Sequence, residues 1–133
     1  MISVFTLQPH EIDENWHWIE PFLRRVEDPV WESEDVCSLL KEKQAQLWGF
    51  SESGVPQGVV VTKLGKIGST PSGLIWIAAG ENLDGFIELL TDHLEPWFRS
   101  KNCRWVEING RRGWKRVLPN YTECSTVFAK ELL

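Results

Sequence analysis

The sequence has few cysteines, no basic leader and no long apolar run. Its three cysteines, Cys37, Cys103 and Cys124, are widely spaced and form no Cys-x-x-Cys pair. This pattern argues against a disulfide-stabilised miniprotein and against a structural zinc site, so we expect no metal and a reducing compartment. The longest apolar run, residues 74–79, is far shorter than the roughly 20 residues that span a membrane. No basic segment precedes the apolar residues near the start, so we expect no secretory signal.

The charge balance disfavours two further classes of protein. The chain has 14 Lys and Arg residues against 19 Asp and Glu, which gives a net charge of -5. That field repels phosphate, so we expect neither general nucleic-acid binding nor attachment to an anionic membrane. With 133 residues, of which 42% are hydrophobic, the chain is long enough for one domain, residues 1–133, with a buried core.

The first half of the sequence predicts one strand, two helices and a hairpin. Residues 2–8 alternate as a strand does, and the apolar residues of 12–26 recur at helical spacing around Pro21. Ser33 is a candidate N-cap for a second helix that runs to about Gln44. Residues 46–51 and 57–67 are rich in β-branched residues and flank a Gly-Val-Pro turn, which predicts a hairpin.

The second half predicts a crossover and two closing elements. After a turn-rich link at 68–73, residues 74–78 are apolar on both faces, as in a central strand. Asn82 is a candidate N-cap for a third helix whose end Pro96 would kink, and Asn102 is a candidate left-handed end before a strand at 103–108. A short helix after Asn109 and a last strand at 124–132 complete the order β-α-α-β-β-β-α-β-α-β. We therefore expect an α/β (α+β) domain with a mixed, mostly antiparallel central sheet and helices on both faces.

This order and the end of the chain resemble the GNAT (GCN5-related N-acetyltransferase) fold over essentially all residues. Asn109 matches the Asn that follows the fifth strand of GNAT proteins, while Asn120 and Tyr121 stand where a Gly-Phe pair is usual. Asn replaces Gly readily, because it tolerates positive φ better than other residues do. The Gly-Arg-x-Gly-Trp string at 110–114 resembles a GNAT-like family of bacteriophages and prophages, which implies a phage origin.

The resemblance implies a binding site for acetyl-CoA at the start of the third helix. GNAT proteins hold the cofactor pyrophosphate there on backbone N–H groups of a Gln/Arg-x-x-Gly-x-Gly/Ala loop. The corresponding loop here, residues 79–85, lacks the leading basic or amide residue and carries Glu81 and Asp84, which would repel phosphate. The cofactor-binding residues that the resemblance implies are Ile77, Ala78, Ala79, Gly80, Asn82, Gly85 and Asn109.

Three residues are candidates for catalysis if the chain is an enzyme. The resemblance places the acid for the departing thiolate at Arg116, which could stabilise a thiolate but not protonate it. Tyr121 is the one tyrosine available as an acid, although its place in an apolar stripe also fits the core. Glu107, beside Trp105 on the predicted strand, is a candidate base with a raised pKa; the alternative is an exposed or salt-bridged carboxylate.

Two groups of residues suggest binding to a partner or an anion. The first is a basic patch on the predicted last helix, with Arg111, Arg112, Lys115 and Arg116; the alternative is a solvated helix face. The second is the pair Trp18 and Trp31, which fall outside the apolar stripes and have the composition of interface anchors; the alternative is loose surface packing.

These observations lead to two hypotheses for function. The first is a GNAT-fold module without catalysis and without a cofactor, which binds a phage structural or host protein in the cytoplasm of the infected host or inside the virion. It follows from the altered loop and acid positions. The alternative is an active N-acetyltransferase that uses acetyl-CoA to modify a host or phage amine.

Overall fold

One sheet of five strands organises the protein. In this computed structural model the described residues are 2–109, 118, 121–122 and 130–132. The strands, in spatial order as well as chain order, are β1 (Ile2–Leu7), β2 (Gln46–Glu52), β3 (Val55–Ile67), β4 (Thr70–Gly80) and β5 (Trp105–Ile108). β1 to β4 pair antiparallel, and β5 pairs parallel to β4. The mixed, mostly antiparallel sheet is therefore confirmed, and so is the crossover between β4 and β5.

The helices lie in two segments of the chain, one between β1 and β2 and the other between β4 and β5. A 3-10 turn (Pro9–Glu11) leads into α1 (Ile12–Arg24), and α2 (Ser33–Lys41) follows after a linker. α3 (Leu83–Leu89), a π-helical turn (Leu90–Leu94) and α4 (Glu95–Ser100) form the crossover. The sequence predicted a kink at Pro96, and the π-helical turn lies directly before it. Pro96 has no N–H to donate to the carbonyl of Asp92, so the regular α-helical bonding is interrupted there.

The alternation along the central strands divides the core into two layers. Leu47, Val59 and Val61 pack with α1 and α2 on one face, here called the α1/α2 face. Val60 and Ile75 pack with α3 and the π-helical turn on the other face, here called the α3 face. All five side chains are fully buried. The predicted α+β architecture, with helices on both faces, is confirmed.

Two local predictions are wrong. Ser33 is not the cap of α2 but its first residue; its N–H and hydroxyl both donate to a carboxylate oxygen of Glu27 (2.6 and 2.8 Å), and Glu32 and Asp35 form the capping box. The turn-rich link at 68–73 is shorter than expected, because β4 begins at Thr70 and only Gly68 and Ser69 separate it from β3. The hairpin backbone needs a positive φ of 63° at Gly68 alone.

The predicted helix after Asn109 and most of the predicted last strand lie outside the described residues. Asn82 and Asn102 have positive φ (66° and 63°), at the start of α3 and after α4. Asn102 therefore ends the crossover helix as the sequence predicts. In the described part of the chain, no helix is long and apolar enough to cross a membrane.

Candidate functional site

An irregularity in β4 lies at the centre of the candidate site. Val61 of β3 pairs with Ile77, and the next residue, Thr62, pairs with Ile75, so Trp76 is an extra residue in β4. Such a bulge breaks the alternation of side chains. As a result, Trp76 and Ile77, although consecutive, both pack on the α1/α2 face.

The pairing between β4 and the described part of β5 ends directly before this bulge. β5 pairs with β4 only from Ser72 to Ile75, and the last bond between them is donated by the N–H of Asn109 to the carbonyl of Ile75 (3.0 Å). Residues 76–80 of β4 continue past this point without a partner in β5. Among the described residues, this side of β4 is therefore an unpaired edge with backbone N–H and C=O groups, here called the β4 cleft.

The loop from β4 to α3 closes the far end of the β4 cleft. Gly80 has φ of 139°, and a Cβ there would collide with the backbone of Gln57 and Gly58. Asn82 caps α3: its side-chain oxygen accepts the N–H of Gly85 at 3.2 Å. A Cβ at Gly85 would meet the ring of Phe50. Both glycines are thus required by packing within the protein.

A shallow pocket of about 230 Å³ lies against this loop. Its walls come from β2, β3, the end of β4 and the first turn of α3, and most are apolar; the lining residues are Phe50, Val59, Ala78, Ala79, Gly80, Glu81, Asn82, Leu83 and Phe86. The small side chains of Ala78 and Ala79 leave this space open.

The charges at the pocket mouth are mainly negative. Glu81 and Asp84 are exposed beside the first turn of α3. One cation lies near them: the guanidinium of Arg25, the residue after α1, is 3.5 Å from the carboxylate of Glu81. The N–H of Glu81 is already bonded to the carbonyl of Gln57 at 2.8 Å. Among the described residues, an approaching anion therefore meets the attraction of one cation, Arg25, and the repulsion of two carboxylates, Glu81 and Asp84.

The predicted cofactor residues are only partly brought together. Ala78, Ala79, Gly80 and Asn82 line the pocket. Ile77 is buried in the core of the α1/α2 face, and Gly85 is buried under Phe50. Asn109 lies at the other end of the β4 cleft, where its N–H joins β5 to β4.

The three catalytic candidates have different surroundings. The hydroxyl of Tyr121 donates to the carboxylate of Glu95 (2.7 Å), and burial together with this carboxylate raises the pKa of Tyr121 well above its usual value. Glu95 begins α4, about 15 Å along the crossover from Gly85 at 1.5 Å per residue, so Tyr121 lies away from the loop. Glu107 shares the α1/α2 face of β5 with Trp105, as predicted, but its side chain is exposed, which is the alternative that the sequence left open. Arg116 lies outside the described residues.

The tryptophans expected at the surface are not free anchors. Trp31 is only 7% exposed and packs in the core of the α1/α2 face, so the prediction of exposure is wrong. Trp18 is half-buried: it contacts the ring of Phe5 edge-to-face, and its Nε1–H donates to Asn15 (2.9 Å). Both indoles find apolar partners that helical spacing alone does not reveal, because those partners come from other elements. The residues of the predicted basic patch, Arg111, Arg112, Lys115 and Arg116, lie outside the described part of the chain.

Sequence reasoning missed one functional candidate, Lys63. Its Nζ lies 3.7 Å from the centroid of the Trp76 ring, and burial lowers its pKa. Within the described residues, no carboxylate pairs with it. The available signal was one charged residue directly after the β-branched run of β3. Over the same residues, no group of three His, Cys, Asp or Glu side chains is arranged to hold a metal ion.

The solved structures that this chain resembles include GNAT-family acetyltransferases. An aminoglycoside acetyltransferase from an uncultured soil metagenomic sample, solved in complex with sisomicin, matches with a TM-score of 0.75 at 12% identity, over 99% of this chain and 97% of that one. A ribosomal-protein-alanine N-acetyltransferase from Brucella melitensis biovar Abortus 2308 matches with a TM-score of 0.70 at 13% identity, over 98% and 100%. A GNAT family acetyltransferase from Staphylococcus aureus matches with a TM-score of 0.67 at 14% identity, over 98% of each chain.

These similarities establish the fold, and the GNAT-like prediction is confirmed at that level. No protein-family model matches the sequence, and no curated protein matches it significantly. The activity has to be argued from the cleft itself.

Proposed function

We propose that this chain is a GNAT-fold N-acyltransferase that binds an acyl-CoA thioester in the β4 cleft and transfers the acyl group to an amine. The observation that carries the proposal is the β4 cleft: among the described residues, the pairing of β5 with β4 ends at Ile75, directly before the Trp76 bulge. The freed edge of β4 leads to a pocket at the start of α3. That combination suits a long ligand with a chain-like arm and a bulky, charged head.

The chain-like part of coenzyme A fits the free edge of β4. This arm is extended and carries two amide groups, so it can pair with exposed backbone N–H and C=O groups as an added strand does. Residues 76–80 supply such groups, and Ala78 is small enough to leave room beside them. Pairing of this kind uses backbone groups and requires no particular side chain, so no sequence motif indicates it.

The phosphates fit less well. The first turn of α3 adjoins the pocket, although the N–H of Gly85 already donates to Asn82, and Arg25 can turn from Glu81 toward an anion. Glu81 and Asp84 oppose that binding. Both carboxylates are exposed, so water and salt screen the repulsion, which weakens affinity without closing the site. We expect weak binding of the cofactor.

The protein's part in the reaction is to orient the donor and the amine. Acetyl-CoA, when bound, supplies an acetyl group activated as a thioester. The edge of β4 would hold the arm of the donor, and Glu107, on the α1/α2 face of β5, would hold the acceptor amine and take up its proton. Tyr121 already donates to Glu95 and holds its proton strongly, which argues against it as the acid.

Thermal unfolding with acetyl-CoA tests the proposal. Ligand at 100 times its Kd stabilises the folded state by about 2.7 kcal/mol, which would raise Tm visibly. Leu83, which lines the pocket and is 46% exposed, gives a blocking variant: Leu83→Glu should abolish the rise without unfolding the protein. Leu64→Glu, at a residue 42% exposed near the far end of β3, should keep it. No rise with millimolar acetyl-CoA or CoA would refute the proposal.

A second candidate, a non-catalytic GNAT-fold module that binds protein, is favoured by the two carboxylates at the loop and by the engaged Tyr121. Under this proposal the chain acts in phage assembly or inside the particle. It is supported if acetyl-CoA neither shifts Tm nor yields free thiol with any amine, and if mass spectrometry finds the protein in purified virions. Rapid thiol release in the presence of an amine would exclude it.

A further inference from the structure

Lys63, Leu74 and Glu107 form one row across three strands beside the β4 cleft. Lys63 of β3 pairs with Leu74 of β4, and Leu74 pairs with Glu107 of β5. Directly paired residues point to the same face of a sheet. At about 4.8 Å between neighbouring strands, the backbones of Lys63 and Glu107 are about 10 Å apart. A cation and a carboxylate therefore flank one apolar side chain on the α1/α2 face.

Two indoles border this row. Trp76 follows Leu74 by two residues in β4, and Trp105 precedes Glu107 by two residues in β5. Trp105 is 59% exposed, and Leu74 is half-buried. The α1 and α2 helices cover the other half of this face, where Val59 and Ile77 are buried. The row is thus the open part of the face, with an apolar floor and aromatic sides.

The two charged residues of the row have no ion-pair partner among the described residues. No carboxylate among the described residues pairs with Lys63, and no cation among them pairs with Glu107. The ammonium group of Lys63 is held over the Trp76 ring at 3.7 Å, so it leans toward β4 and toward the row. A partly buried cation that no described carboxylate pairs with favours an anionic group on a ligand. Glu107, at the other end, favours an ammonium group.

From this geometry we infer that the row binds a zwitterionic primary amine of the amino-acid class. Its carboxylate contacts Lys63, its ammonium group contacts Glu107, and its carbon chain lies on Leu74 between the two indoles. The role of this ligand rests on the proposed function: as the acceptor, its amine receives the acyl group. In that reaction the ammonium group first gives one proton to Glu107, which leaves a neutral amine with a free electron pair. The nitrogen then bonds to the acyl carbon, the C–S bond breaks, and the second amine proton passes through water to the departing thiolate, so that the amide and the thiol are released.

Calorimetric titration without acetyl-CoA tests the binding by itself. The probes are glycine, β-alanine, 4-aminobutyrate and 6-aminohexanoate, each compared with the amine and the carboxylic acid of matched chain length. We expect at least one zwitterion to bind about tenfold more tightly than either matched half. Equal affinity for every zwitterion and its halves would overturn the inference.

Two variants assign the ends of the ligand. Lys63→Met should reduce the affinity for the preferred zwitterion to that for the amine alone, and should not change the affinity for the amine. Glu107→Gln should reduce it to that for the carboxylic acid alone. Lys66→Met, on the opposite face of the same strand, and Glu88→Gln, exposed on α3, are controls that should bind as the parent does. If the two test variants behave as the controls do, the row is not the site.

An activity assay separates this inference from the proposed function. If the zwitterion binds as described but no thiol is released from acetyl-CoA, the site stands and the acyltransferase proposal fails. If acetyl-CoA raises Tm while no zwitterion is selected, the acyltransferase proposal stands and the inference about the acceptor fails.

Discussion

The indole of Trp31 packs edge-to-face against that of Trp76, with ring centroids 5.8 Å apart and an interplanar angle of 62°. This contact joins the α1–α2 linker to the bulge in β4. The ammonium group of Lys63 lies over the Trp76 ring, 3.7 Å from its centroid. The linker, the bulge and the cation beside the cleft are therefore held in place by one aromatic pair.

Trp31 should matter for stability far more than its neighbour in sequence. Because Trp31 is only 7% exposed, Trp31→Ala leaves a cavity and should lower the free energy of unfolding by about 3–5 kcal/mol in urea titrations. Val30 is 69% exposed, and Val30→Ala should change the free energy of unfolding by less than about 0.5 kcal/mol. A loss below about 1 kcal/mol for Trp31→Ala would contradict the burial of this indole in the core.

Gly80 should not tolerate a side chain. Its φ is 139°, and a Cβ would collide with the backbone of Gln57 and Gly58, so Gly80→Ala should lower the free energy of unfolding by about 2 kcal/mol or more. Gly65 gives the matched control in β3: nothing lies within 4 Å of a Cβ built there, and Gly65→Ala should be neutral or slightly stabilising. Equal effects of the two substitutions would contradict the close approach of β3 and the loop.

The single tyrosine allows one pKa to be followed directly. Burial and the carboxylate of Glu95 raise the pKa of Tyr121, so in the folded protein tyrosinate absorbance should appear only well above the ordinary value of about 10. In urea the same group should titrate near about 10. Normal titration in the folded protein would show that the bond to Glu95 is absent.

The same shift predicts a loss of stability in alkali. Below pH about 10 the Tyr121 hydroxyl keeps its proton in both states, and its contribution to folding is fully present. Above that pH the unfolded chain releases the proton first, so the free energy of unfolding falls as pH rises. Tyr121→Phe should remove this part of the pH dependence in urea titrations at a series of pH values.

The two carboxylates at the loop should weaken CoA binding. Glu81→Gln frees Arg25 and Asp84→Asn removes a charge from the first turn of α3, so each should raise the affinity for CoA about two- to fivefold at low salt, with less gain at high salt. Glu88→Gln, further along the exposed side of α3, is the control. Unchanged affinity in both test variants would mean that phosphate binds elsewhere.

Periodicity and turn chemistry in the sequence determined most of the fold. The strands, the crossover, the Asn82 cap and the left-handed Asn102 follow from patterns that act within a few residues. The position of the cleft loop also followed, because Gly80 and the Asn82 cap lie only two residues apart in sequence. Such features are local, so one sequence suffices to read them.

The tertiary structure alone decided where Trp31, Trp76 and Lys63 meet. Trp31 looked like a surface anchor because its linker has no periodicity, yet its partners come from β4 and the helices. The bulge at Trp76 reverses which residues of β4 share a face, and no composition signal marks it. The row of Lys63, Leu74 and Glu107 exists because pairing registers align three distant positions. Registers depend on the packing of whole strands, so the sequence by itself determined the elements and the tertiary structure decided the site.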